Sequence, residues 1–461
     1  MSHHPSHSRE RAVQRRSSLS ILVWVTLTAL LLLLAVSAAQ GEEPTGSTEV
    51  VPASLTSLSE TALWPQWRGP ERDGSVSGAA WPASLEGIDL SWDVQELGPS
   101  YSGPIVAEDR VFITETVDKA EEVVTALDRK TGQVLWRQQW KGSMSVPFFA
   151  AKNGSWIRST PAYDGESLYV GGIREVLVRL DAYTGSVVWK VDFPERYGTP
   201  MPDFGYVASP LVTEDAVYVQ AANSMLKLNK ETGETIWRSL QTDESIMVNG
   251  AFSSPVLAQL GGEEQLVVQT RTHLAGVSPG DGSVLWTQEV PSFRGMNILT
   301  PTVIGDRVVT SSYRNATWAY QVSESEVSTA WQSKVQGYMS SPLVIDDYVY
   351  LHLGNGRLTC IHWKTGEQAW TTEPLGKYWS MARQGERVLA LNEKGELLLF
   401  DASPEGFEIL DRQTVSDQET WAHIAVAGEE VFVRELRGLK KLSWKAEEMP
   451  TLQSAATVAG E

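Results

Sequence analysis

Apolar and polar positions along this 461-residue chain recur as a block rather than as a single helical or strand period. The clearest copies are Asp128-Arg-Lys-Thr-Gly132-Gln-Val-Leu-Trp136, Asp181-Ala-Tyr-Thr-Gly185-Ser-Val-Val-Trp189 and Asn229-Lys-Glu-Thr-Gly233-Glu-Thr-Ile-Trp237. A fourth starts at Ser278 and reads Gly282-Ser-Val-Leu-Trp286, a degenerate fifth runs from Val322 to Trp331, and a sixth starts at His362 and closes on Lys364-Thr-Gly366-Glu-Gln-Ala-Trp370. The Trp-to-Trp spacings are 53, 48, 49, 45 and 39 residues. Asp or Asn can accept bonds from the backbone that follows it, and Gly supplies a positive φ, so each block predicts a tight hairpin. After the Gly, apolar residues fall on both faces of the next strand (Val134 and Trp136 on one, Leu135 on the other). That pattern predicts a strand buried on both sides, with the Trp filling the gap to a neighbouring sheet.

Upstream of each block lies a small residue and a Pro that open two short β runs, as in Ser102-Gly-Pro104-Ile-Val, Ala208-Ser-Pro210-Leu-Val and Ser340-Ser-Pro342-Leu-Val. A Pro at the first position of a strand forfeits no ladder bond. With the strand before the Asp, each repeat holds four strands, the content of a propeller blade. Six clear repeats run from Ser102 to Glu373, and a seventh from Ser380 to Val415 puts Ile409 where Trp would sit. An eighth, from Trp421 to Trp444, has only three strands. Its fourth is available from Asp89-Leu-Ser-Trp92-Asp-Val, whose Trp92 lies 44 residues before Trp136. The sequence thus predicts an all-β, eight-bladed propeller over residues 63–444, its last blade completed by an N-terminal strand, with seven blades as the alternative count. Trp92, Trp136, Trp189, Trp237, Trp286, Trp331 and Trp370 are the expected wedges between blades.

These repeats resemble the tryptophan-docking repeats of the pyrroloquinoline-quinone (PQQ) β-propeller family, which holds both quinone dehydrogenases and a non-catalytic, BamB-like branch. The resemblance covers roughly residues 64–444 and includes the opening Trp64-Pro-Gln-Trp67-Arg-Gly-Pro70 with Asp73-Gly74. For the dehydrogenases it implies a quinone clamped by a Trp and a disulfide of adjacent cysteines, with calcium held by Glu and Asn. The single cysteine, Cys360, makes that disulfide unavailable, and no segment reproduces the metal-binding stretch. The BamB-like branch implies a scaffold without a cofactor, although the lipid-carrying cysteine of that branch is absent here. The expected function is therefore an exported, non-catalytic binding or scaffold protein of the cell envelope. PQQ with calcium enters only under the alternative, an alcohol- or sugar-oxidising quinoprotein.

Charge and the termini narrow the setting. The formal net charge is -19, and taking away the net +3 of residues 1–40 leaves -22, which disfavours nucleic acid as a partner. Arg15-Arg16, an apolar run from Leu19 to Ala39 and the small residues Ser37-Ala38-Ala39 have the order of a secretory signal. The run is also long enough to span a bilayer, so residues 1–40 are expected to be a signal peptide or an uncleaved membrane anchor. Residues 41–62 read as a flexible linker and 445–461 as a disordered tail. An extracytoplasmic monomer is expected, tethered through residues 19–39 if these are retained.

The candidate binding face is built from loops that join the outer strand of one blade to the inner strand of the next. These loops carry Tyr101, Trp156, Arg158, Phe204, Tyr206, Phe252, Arg294, Tyr338, Tyr378, Trp379 and Trp421. Two of them are long, Lys141–Arg158 and Pro194–Val207. Aromatic and Arg side chains on loops held by a rigid scaffold are the usual stuff of binding hot spots, so a protein, a peptide or a small ligand is expected at this channel mouth.

Overall fold

The computed structural model describes residues 63–444, apart from 79, 149–150, 152–153, 243–248 and 325. The export segment, the linker and the tail read from the sequence lie outside the described residues. Eight four-stranded antiparallel sheets follow one another along the chain. Blade 1 comprises Ile105–Val106, Arg110–Val117, Glu121–Asp128 and Val134–Lys141, and blades 2 to 7 span 162–192, 211–239, 256–289, 302–333, 343–371 and 379–414. Blade 8 takes Ala425–Ala427, Glu430–Glu435 and Gly438–Trp444, and Ile88–Val94 pairs antiparallel with the last of these, Ile88 opposite Trp444 and Val94 opposite Leu439. The first strand thus zips the ring shut, and the two middle strands of each blade form the core, as in Leu168, Val170, Leu177, Val178 and Leu180 at 0% exposure.

The repeated block folds as its chemistry dictates. Asp128 Oδ1 accepts from the amides of Lys130 and Thr131 and from the Thr131 hydroxyl, and the Gly132 amide returns to Asp128 O at 2.8 Å. Gly132, Gly185, Gly233, Gly282 and Gly366 all have φ between 69 and 77°. Their missing Cβ has a second use. A methyl at Gly132 would lie 2.9 Å from the Trp92 ring, and one at Gly185 2.6 Å from Trp136. The same holds for Gly233 with Trp189, Gly282 with Trp237 and Gly366 with Trp331. These five indoles lie on the turn of the next blade, and Nε1 donates to a carbonyl there: Trp92 to Arg129, Trp136 to Ala182, Trp189 to Lys230, Trp237 to Pro279 and Trp331 to Trp363, while Trp370, packed on Phe407, donates to Ser403.

Trp286 differs. Its Nε1 bonds Gln265 Oε1 of its own blade at 2.8 Å, and its ring lies against Gly276. The facing turn of blade 5 is a short hairpin at Glu324 without a glycine, so there is no platform to lie on.

Two further expectations need correction. The outermost strands are not buried on both faces: Val134 is 50% exposed, Leu135 46%, Val188 50% and Ile236 51%. All eight blades carry a β-bulge just before the Trp position, as between Ala126 and Leu127, which pair with Trp136 and Val134. The bulge breaks alternation, so Trp turns to the next blade while the residues before it stay at the outer rim. In blade 7 the bulge register places Asp411, not Ile409, at the Trp position. Its carboxylate accepts from Ser84 Oγ at 2.8 Å and the Leu85 amide at 2.6 Å, and so pins the chain just ahead of the closing strand.

Candidate functional site

The segment from Trp64 to Val76 occupies the axis of the ring. Trp64 exchanges two backbone bonds of 2.9 Å with Val106 of blade 1, and Pro65 O accepts from Tyr163 of blade 2. Arg72 donates to Ser209 O and Pro210 O at the head of blade 3, and Arg68 donates to Pro342 O at the head of blade 6. Val76 and Gly74 trade bonds of 2.8 Å with Arg383 of blade 7, and Trp64 stacks on His423 at the head of blade 8. Only a segment lying in the central channel can reach blades on opposite sides of the ring. Trp81 then tucks its indole against Trp444 and donates to Gly428 O, leading the chain out to Ser84 and the closing strand.

Two guanidinium groups are carried inward by this segment. Arg68 is 3% and Arg72 6% exposed, and both flank Trp67 at 5.5 and 5.6 Å from its ring. Burial lowers the Arg68 pKa to about 10 against the pull of Asp73, and lowers that of Arg72 to about 9. Both residues sit at left-handed φ, 63 and 57°. Burial also pulls His423 down to about 3, helped by Arg68, so it is neutral, and its Nδ1 meets Ile424 O at 2.8 Å. Burial pushes the phenols of Tyr206 and Tyr378 upward.

Above this floor the mouth loops sort into three aromatic groups. Tyr378 stacks on Trp421 at 5.6 Å, Trp421 meets Tyr101 at 6.3 Å, and Tyr101 meets Trp156 edge-on with Arg158 over its face. Phe204 packs on Phe252, with Arg271 over the Phe252 ring at 4.5 Å. Phe293, Tyr313 and Tyr338 form the third group, joined by Arg294 and Arg314. Nine of the eleven candidate residues are at least partly accessible. Trp379 is not: it is fully buried, stacked on His352 between blades 6 and 7, with Nε1 bonded to Leu375 O. Tyr206 is 2% exposed and packs against Gly171 of blade 2. Both belong under the surface rather than on it.

Arg68, Arg72, Arg271, Tyr313 and Arg314 are not among the candidate residues read from the sequence, and Trp67 enters there only as part of the opening motif. The opening Trp-Pro-Gln-Trp-Arg-Gly-Pro did carry a signal, since Trp and Arg crowd a stretch with no strand rhythm. The two long loops frame a cleft of about 530 Å³ lined by Met144, Ser145, Pro147, Arg174, Met201, Pro202 and Asp203, with Phe148 nearby at 91% exposure. Cys360 is buried and free, and among the described residues no three His, Cys, Asp or Glu side chains converge as a metal site.

Comparison with known proteins agrees with this architecture. The family model for outer membrane protein assembly factor BamB matches residues 119–372, more than half of the chain. The BamB proteins of Yersinia pestis and Moranella endobia are each 22% identical over 61% and 66% of this chain. The chain spans 62% and 66% of their lengths. A polyvinylalcohol dehydrogenase from Sphingopyxis is 25% identical over 35% of the chain and 25% of its own length. Among solved structures, BamB from Moraxella catarrhalis matches with a TM-score of 0.57 and 15% identity, covering 77% of this chain and 99% of that one. A quinohemoprotein alcohol dehydrogenase from Pseudomonas putida matches with a TM-score of 0.61 and 12% identity, covering 84% and 81%. These structural likenesses establish the shared fold, and on the extent of the family match the chain belongs to the PQQ-like β-propeller family described as outer membrane protein assembly factor BamB.

Proposed function

We propose that this protein is an extracytoplasmic, non-catalytic propeller that binds a protein or peptide partner of the cell envelope through its channel-mouth face. The observation that carries the reading is the mouth itself: three aromatic groups with their Arg residues, set on rigid blades around an axis that the chain fills with its own Trp64–Val76 segment. Aromatic and Arg anchors dominate binding energy at protein interfaces. The cleft between the two long loops adds an adaptable mixed surface, with Met144 and Met201 beside Arg174 and Asp203. The curated relatives named as assembly factors of the outer membrane support a location outside the cytoplasm.

A quinone dehydrogenase is the second reading, favoured by the fold shared with the alcohol dehydrogenase. The residues present fit a quinone with calcium poorly. The lone thiol, Cys360, lies inside blade 6, and the axis carries a Trp, two guanidiniums and a neutral imidazole rather than a set of oxygen ligands.

The test is affinity capture from solubilised envelope, comparing the native chain with a Tyr338→Ala, Arg294→Ala, Trp421→Ala variant. These side chains lie on the mouth and leave the blade cores intact. Loss of a specific captured protein supports the reading, and unchanged capture of every partner refutes it. Binding of PQQ with calcium, together with dye-linked oxidation of an alcohol, would favour the enzyme.

A further inference from the structure

We propose that Phe293, Arg294, Tyr313, Arg314 and Tyr338 form a clamp for a short acidic segment of a partner protein. Asp or Glu carboxylates of the segment meet the two guanidiniums, and an apolar side chain between them lies on the rings. The inference rests on the mouth being the binding face and names the chemistry that one sector of it takes. These five side chains are in contact with one another. Phe293 meets Tyr313 edge-on at 6.3 Å, and Tyr313 meets Tyr338 at 4.5 Å. Arg294 lies 5.2 Å and Arg314 5.1 Å from the same Phe293 ring, and Arg314 is also 5.2 Å from the Tyr313 ring. Phe293, Arg294 and Arg314 are exposed, and the two tyrosines are half-buried.

Three laced loops, 290–301, 312–316 and 334–342, hold the cluster in place. The Phe293 amide donates to Tyr313 O at 3.2 Å, and the Tyr313 amide donates to Met296 O at 3.3 Å. Ser312 Oγ and Asn315 Nδ2 both donate to Pro291 O, and the Gly337 amide donates to Ser311 Oγ. Arg271 donates to Gly295 O and Arg294 O, and so braces the turn that carries Phe293. Arg294 and Arg314 are held at left-handed φ, 55 and 57°, a strain that persists where the surroundings impose it.

Charge selects the occupant. The three loops contain Arg294, Arg314 and Lys334 and no Asp or Glu, within a chain of net charge -19. Among the described residues neither the Arg294 nor the Arg314 guanidinium makes an ion pair or a hydrogen bond, and their contacts are with the rings alone. A guanidinium stacked on a ring keeps its planar fork of N–H donors free, and that fork matches a carboxylate in two parallel bonds. Two such groups around one aromatic ring suit a segment with acidic residues on either side of an apolar one. An anionic bilayer would face the whole acidic chain and be repelled, whereas a short segment reaches this basic sector alone.

The experiment titrates the full chain with a short labelled peptide in which Glu alternates with Phe, with its Gln counterpart, and with phosphatidylglycerol vesicles. Anisotropy reads the peptides and co-sedimentation the vesicles. Saturable binding of the Glu peptide is expected, weakening as salt rises, with the Gln peptide about tenfold weaker or more. Arg294→Ala and Arg314→Ala should each weaken the Glu peptide about tenfold, toward the affinity of the Gln peptide, with urea midpoints unmoved because both side chains are exposed. Lys130→Ala, in the turn at the other end of the outer strand of blade 1, should bind as the native chain does. Equal affinity for the two peptides, no loss in either Arg variant, or vesicle binding that those variants abolish would overturn the proposal. Silence of the Glu peptide, with capture still lost in the Tyr338→Ala, Arg294→Ala, Trp421→Ala variant, overturns the clamp alone, whereas unchanged capture in that variant is the result that refutes the mouth.

Discussion

The contact between each indole and the glycine of the next blade makes a sharp prediction at Gly185. Alanine there must adopt φ near +76°, and left-handed backbone costs an L-residue about 1–2 kcal/mol. Its methyl would also stand 2.6 Å from the Trp136 ring, against a comfortable carbon–carbon separation of roughly 3.5–4.0 Å. The indole must shift by about 1 Å, an overpacking that costs about 1–3 kcal/mol. A shift of that size also breaks the 3.1 Å bond from Trp136 Nε1 to Ala182 O, worth about 1 kcal/mol. Gly185→Ala should therefore destabilise by about 3–6 kcal/mol on those terms.

Gly305 is the control. It has φ 56° and nothing within 4 Å of a built Cβ, so Gly305→Ala should cost only the backbone strain of about 1–2 kcal/mol. Urea unfolding of the two variants, each made also in a Trp136→Ala background, separates the terms. Without the indole, Gly185→Ala should fall to the cost of the control, giving a coupling of about 2–4 kcal/mol in the cycle. Equal costs for Gly185→Ala and Gly305→Ala, or no relief without Trp136, would refute the idea that inter-blade indoles sit on glycine platforms.

Other outcomes follow from single contacts. Asp411→Ala removes the acceptor for Ser84 Oγ and the Leu85 amide, so it should cost about 1–3 kcal/mol and speed limited proteolysis between residues 80 and 90. Glu175 is 2% exposed, and burial, with a smaller push from Asp192, raises its pKa to about 7 against the bond from the Ala222 amide. The folded state then holds a proton that the unfolded state loses near pH 4.5, so this group stabilises most below that value and loses its contribution as pH rises to about 7. Glu175→Gln keeps an acceptor for Ala222 without the charge, and should flatten the pH profile and add about 3 kcal/mol at pH 8, read from urea midpoints. Cys360 is buried with its pKa pushed up to about 11, so it should resist thiol reagents at pH 8 until urea opens blade 6.

The ring was legible because its determinants are local. Asp128, Gly132 and Trp136 make their turn within nine residues, and the motif returns often enough to count blades, including the strand around Trp92 that closes the last one. Errors arose where tertiary context decides. Trp379 read as a mouth residue because the strand was expected from Ser380, yet it begins at Trp379 and aims that indole into the core. The bulge moved the Trp-equivalent of blade 7 from Ile409 to Asp411, a shift of two positions that periodicity alone does not reveal. The channel segment was hidden for a deeper reason. Trp64–Val76 has no strand period, and its conformation is imposed by backbone partners 42 to 309 residues away, from Val106 for Trp64 to Arg383 for Gly74. Arg68 and Arg72 look like ordinary surface residues until the ring closes around them.

Hydrogen exchange read by mass spectrometry tests the filled axis most directly. The amides of Trp64 and Val76 donate to Val106 O and Arg383 O inside the ring, so peptides covering residues 63–77 should be protected about as strongly as those from the inner strands of blades 1 and 7. Exchange of that stretch at the rate of an unfolded chain, with the blades still protected, would show an open channel and contradict the account.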